Sequence, residues 1–149
     1  PYASEEWESA KGVNVYLRNR VAFARRLHHD PQIEARQLLF MELYPFHSTR
    51  VAAAITPPAQ LLEQFVFDPL AEIDTEYVFA FGKPWQGVAE RLGLGNGRAL
   101  PIKWRTASRE ARTFPLKGGQ SLIVMSQSGY AGPPGVEDTE MLRSALGYL

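Results

Sequence analysis

Hydrophobic and polar positions along the chain follow two periods, one near 3.6 residues and one near continuous, broken by proline and glycine. Val13, Leu17, Val21 and Ala24 recur at helical spacing and predict an amphipathic helix over residues 13–27, with arginines on its other side. Asp30-Pro31 is expected to end it, because the residue before a proline is pushed out of the α region. Residues 38–43 form a short, almost unbroken apolar run with Glu42 near its end, the pattern of a strand covered on both faces. Pro45 stops that ladder, having no amide hydrogen to donate. Thr56 as N-cap and Pro57 as first helical residue predict a helix through Leu61, Leu62, Phe65 and Val66 to about Phe67. Asp68-Pro69 repeats the device and starts a further short turn.

Residues 76–82 read as a second strand, rich in aromatic and branched side chains. A helix follows with Trp85, Val88, Ala89 and Leu92 on one side, closed by Gly93. Residues 102–106 and 113–116 read as short extended segments on either side of a basic connector. Residues 120–125 give a third strand, and residues 136–149 a last helix with Glu137, Asp138 and Glu140 where the dipole favours acids. Alternation of this kind predicts one α/β domain over residues 1–149, a three-layer αβα arrangement with a mainly parallel central sheet. The strands of such a sheet end on one edge, where ligands bind. Loops 44–50, 82–85 and 126–130 are therefore expected to converge. They offer aromatics to stack (Tyr44, Phe46, Trp85, Tyr130), polar groups to read an edge (Ser48, Ser126, Ser128) and cations for phosphate (Arg50, Lys83). Gly82 at a tight turn before a helix adds backbone amides suited to an anion, although the spacing is not that of a P-loop. A plainer reading makes Tyr44 and Phe46 core residues and His47 a helix cap.

Composition narrows the chemistry. With 149 residues and no cysteine, the chain can bury roughly 70% of its unfolded surface and needs no disulfide staples. It has no thiolate nucleophile and no cysteine-ligated metal. No cofactor or metal is expected, since three histidines, two of them adjacent, offer no ligand spacing such as His-Glu-x-x-His. No apolar run reaches the ~18 residues of a membrane span, and a cytoplasmic location is expected. The chain starts at Pro1, so a longer parent with an additional N-terminal strand fits the reading. Formal charge is zero, yet five bases and no acid lie in residues 9–29, and six bases with Glu110 alone lie in residues 98–117. Side by side, these stretches would make a positive face for phosphates; apart, they are ordinary solvated faces.

The order of strands and loops resembles the uracil-DNA glycosylase superfamily over residues 36–149. Phe-Ala-Phe-Gly-Lys-Pro-Trp-Gln at 79–86 is similar to the family's strand running into a turn and helix. Leu-Ile-Val-Met-Ser-Gln-Ser-Gly-Tyr at 122–130 is similar to the last strand and the loop that follows it. The resemblance implies a nucleobase or DNA ligand and, in an active member, hydrolysis of an N-glycosidic bond. Glu42 or His47 would orient the attacking water, with Gln127 or Ser128 near the leaving base and Tyr44 or Phe46 stacking on it. Departures are specific. Gln127 stands where the family has histidine, Gln127-Ser128-Gly129 lacks the proline, and Glu42 falls where the family reads the base with asparagine. The family's first acidic motif is absent, with Pro1-Tyr2 as its only candidate remnant. These departures leave a second function open: a catalytically inactive module that binds nucleic acid or protein. A hydrolase using Ser48 with His47 fits poorly, because adjacent residues seldom form a nucleophile and base pair and no Gly-x-Ser-x-Gly elbow exists.

Overall fold

The computed structural model describes residues 9, 12, 14–41, 57–103, 110–126 and 132–148. Helix α1, Val15–His28, starts where the side chain of Asn14 accepts a hydrogen bond from the Leu17 amide at 3.1 Å. It stops one residue before Asp30, at His29, whose left-handed backbone (φ 52°) breaks the ladder. Its buried stripe is Arg20, Val21, Phe23, Ala24 and Leu27, so one of the arginines expected on the solvent side faces inward.

The run at 38–43 gives the first correction. Ala35–Gln37 is a short 3-10 turn, and residues 38–41 after it join no strand. Leu39 and Phe40 are 65% and 40% exposed, whereas a strand covered on both faces would bury them. Met41 alone of the described part packs on a core cluster, that of Leu62, Val66, Leu70 and Val88.

Helix α2 is built from the α-helical turn Ala59–Leu62, the π-helical turn Glu63–Phe67 and the α-helical turn Asp68–Ala71. It begins after Pro58 rather than at Pro57, and it runs through Asp68-Pro69 without a break. The π-helical turn explains how. Leu62, Val66 and Leu70 are spaced four apart, and an ordinary α-helix would carry that stripe about 40° around its axis at each step. The wider turn keeps all three in one buried cluster with Val88. Gln120 fastens the end of α2, donating from Nε2 to the carbonyls of Leu70 (2.6 Å) and Ile73 (2.7 Å).

Four strands follow: β1 Tyr77–Phe81, β2 Arg98–Lys103, β3 Glu110–Pro115 and β4 Ser121–Ser126. Between β1 and β2 lies α3, Pro84–Arg91, and after β4 comes α4, Val136–Leu146. The strands form one open sheet in the order β1-β4-β3-β2. Only β1 and β4 are parallel; β4 with β3 and β3 with β2 are antiparallel. The sheet is thus mixed and mostly antiparallel, which overturns the expectation of a mainly parallel one. Loop length is the reason. Parallel neighbours need a crossover of about a dozen residues or more. Of the paired strands, only β1 and β4 are separated by a stretch that contains a helix, whereas β3 turns into β4 across a tight glycine turn in which the Leu116 amide donates to the Gln120 carbonyl at 2.8 Å. Pro101 lies on the border strand β2, where the register with β3 slips between Ala99 and Lys103, a place that tolerates the missing amide.

Helices lie on both faces of the sheet. On one, Phe23 and Leu27 of α1 and Leu142 of α4 pack with Leu100, Ile102, Ala111, Ile123 and Met125, flanked by Phe79 and Phe81. On the other, Ala89 of α3 packs with Ala80, Phe114, Leu122 and Val124, beside the cluster of Leu62, Val66, Leu70 and Val88. Leu122 to Ser126 are all buried, which accounts for the unbroken apolar run that marked this strand in the sequence.

Candidate functional site

Although β3 runs the other way, β1, β2 and β4 all point in one direction, because β4 and β2 are each antiparallel to β3. The C-terminal ends of three strands therefore share an edge with the start of β3. This is the edge expected to carry the site, reached by a different topology.

Four of the expected site residues are described. Gly82 directly follows β1 and donates its amide to the Met125 carbonyl at 2.9 Å, which sets it beside Ser126 at the end of β4. Its φ of 121° is backbone that side chains rarely allow. Lys83 is exposed at the start of α3, and its carbonyl accepts from the Gln86 amide at 3.1 Å. Ser126 is buried and in register with Glu110 across the β3–β4 ladder. Trp85 turns toward the interior, packing edge-on to Phe67 with ring centroids 6.4 Å apart. In this position its ring packs against the clusters of Val88 and Phe114. Glu42, Tyr44, Phe46, His47, Ser48, Arg50, Gln127, Ser128 and Tyr130 lie outside the described residues.

The residue that the sequence reading missed is Arg20. It is 7% exposed, and its guanidinium carbon sits over the rings of Tyr16 (3.9 Å) and Phe81 (4.6 Å). Phe81 is the last residue of β1, so α1 brings a buried cation to the same edge as Gly82 and Lys83. Burial pushes its pKa below the ordinary arginine value, and the neighbouring Tyr16 opposes that shift. The signal in the sequence was faint but present. Arg20 is four residues after Tyr16 and four before Ala24, on the side of the helix that also carries Leu27.

Among the described bases, Arg112 and Lys117 of the second stretch lie away from the arginines of α1. Arg112 is in register with Val124 on the side opposite α1, its Nε 3.3 Å from the Glu110 carboxylate. Lys117 pairs with Glu63 of α2. On α1, Arg26 reaches the Pro134 carbonyl at 2.8 Å and ties the helix to the segment before α4. At the far end of α1, His29 meets Glu140 at 2.8 Å and His28 packs on Tyr148, so both histidines make local contacts at a helix end. Among the described residues no group of three or more acidic, histidine or cysteine side chains is placed to hold a metal ion. No helix among them is long and apolar enough to cross a membrane.

What the fold and this edge define is an α/β protein with an open, mixed four-stranded sheet. Comparison with protein-family models, with curated proteins and with solved structures gave no match to any of them.

Proposed function

We propose that the chain binds a nucleobase of a DNA strand at the C-terminal edge of its sheet, in the manner of uracil-DNA glycosylases. One observation carries this reading: the hydrogen bond from Gly82 to Met125 joins segment 79–86 to residues 122–126, the described part of the second segment that resembles a family motif. In an active protein, Glu42 or His47 orients the water, Gln127 stabilises the leaving base, and Tyr44 or Phe46 stacks on it. A second reading, an inactive nucleic-acid- or protein-binding module on the same edge, is favoured by glutamine at 127 where a glycosylase has histidine.

The test is release of free base from single- and double-stranded DNA carrying uracil, hypoxanthine or alkylated bases, run alongside binding of the same strands. Base release that falls about 10²-fold or more in His47→Ala and Gln127→Ala supports the enzyme. Binding that weakens steeply with salt, without release, assigns the module. Neither binding nor release from any of these strands removes the glycosylase reading and the nucleic-acid form of the module.

A further inference from the structure

We infer that the outer face of α2 is a docking surface for a basic, amphipathic helix of a partner protein. The inference goes beyond the proposed function and uses none of its residues. It starts from the four-residue rows that the π-helical turn keeps straight. Leu62, Val66 and Leu70 form the buried row. The row one residue before it, Leu61, Phe65 and Pro69, is straightened by the same turn and stays on the surface, with Leu61 49% and Phe65 63% exposed. Ile73 continues the spacing just past the helix end and is exposed as well. Single exposed apolar side chains are ordinary, but a row of them at one spacing marks a contact surface. A helix that served only its buried row would carry polar side chains here. Leu39 and Phe40, also exposed, lead into Met41, which packs on the cluster of the buried row, so more apolar surface lies close to α2.

Charge says what covers it. Residues 59–76 hold five acids and no base. Gln60, Gln64, Asp68 and Glu72 form the next row outward, bordering the apolar one, and all four are exposed. On the opposite flank Lys117 is paired with Glu63, and its charge also reaches Asp68. Glu72 and Asp74 make no ion pair among the described residues. An apolar row beside acids is the complement of a helix whose apolar stripe runs beside lysines or arginines. Such a helix would cover Leu61 and Phe65 with its stripe and bring its bases over Asp68 and Glu72. Nucleic acid and anionic lipid carry the wrong sign for this face. A second copy docked by the same face would bring the same surplus of acids. From Leu61 to Ile73 the row runs about 18 Å, room for about three turns of a partner helix.

The experiment titrates the 15N-labelled chain with a synthetic peptide of leucine and lysine about four helical turns long, its leucines on one face. The same peptide with glutamate in place of lysine is titrated separately. Phe65→Gln and Glu72→Gln are measured beside the wild type; both side chains are exposed, so neither substitution should disturb the fold. The expected result is that the lysine peptide binds and shifts the amides of α2, leaving those of α1 and α4 in place. Phe65→Gln should weaken binding by roughly 10-fold or more, as loss of an aromatic anchor does. Glu72→Gln should weaken it by roughly 2- to 5-fold and make it less sensitive to salt. The glutamate peptide should bind at least about 10-fold more weakly than the lysine peptide. No binding of the lysine peptide, shifts that fall away from α2, or equal binding of the two peptides each overturn the inference. A wild-type chain that dimerises while Phe65→Gln stays monomeric overturns it too, and gives the face to a second copy.

Discussion

Phe114→Ala is expected to destabilise the protein by about 3–5 kcal/mol, the usual cost of emptying a buried aromatic site. Phe114 is fully buried and is the largest member of a cluster that otherwise contains Ala80, Ala89, Leu122 and Val124. Two of those neighbours are alanines, with no longer side chain to swing into the gap, so the cavity will relax little. At this chain length each kcal/mol moves the melting temperature by roughly 2–4 °C, which predicts a fall of roughly 6–20 °C by thermal denaturation. The same ring explains why residue 97 is glycine. A Cβ there would lie 2.6 Å from two carbons of the Phe114 ring, and the backbone φ is +64°. Gly97→Ala alone should cost about 1–3 kcal/mol from overpacking, with left-handed strain added. In a Phe114→Ala background the overpacking disappears and only the strain remains. The two changes should therefore be non-additive by more than about 0.5 kcal/mol, and simple additivity would show that the ring is not what excludes a side chain at 97.

Gly82→Ala should weaken ligand binding at the proposed site. The φ of 121° puts strain of about 1–3 kcal/mol on any residue with a Cβ. Space is not the obstacle, since the nearest atom to such a Cβ is Cδ of Pro84 at 3.5 Å. Relief of the strain would rotate the turn and break the bond to Met125, moving Lys83 with it. Oligonucleotide affinity should fall by about tenfold or more, at least 1.4 kcal/mol. Gly87→Ala is the control. It lies in the same helix that Gly82 leads into, has nothing within 4 Å of its added Cβ, and should be neutral or stabilising by up to about 1 kcal/mol. Equal effects of the two substitutions on binding would disprove the role given to the turn.

Much of this architecture is legible in the sequence. Strands β1 and β4 and helices α1 and α4 were readable because their apolar patterns are long and their ends carry turn or cap residues. The approach of the Gly82 turn to Ser126 was readable because those strands end in the same direction. The order of elements, however, says nothing of pairing direction. The short connection from β3 to β4 did, and it pointed to a hairpin. At residues 38–41 hydrophobicity alone could not tell a buried strand from an exposed stretch following a 3-10 turn. Arg20 escaped notice because an arginine on an amphipathic helix is ordinarily solvated, and its two aromatic neighbours come from Tyr16 in the same helix and Phe81 in a distant strand. Only the fold brings the second to it.

The pairing of β1 with β4 joins residues as far apart as Tyr77 and Ser121, whereas β2, β3 and β4 pair through short connections. Closing the longer loop is entropically dearer and slower, so the β2–β3–β4 meander should collapse first and β1 should dock late, with α1 arriving over Phe79 and Phe81. The edge that holds Arg20, Gly82 and Lys83 is then the last region to acquire its native contacts and the first to lose them. Amide hydrogens of β1 should exchange by partial opening well before those of β3, without unfolding of the rest of the molecule.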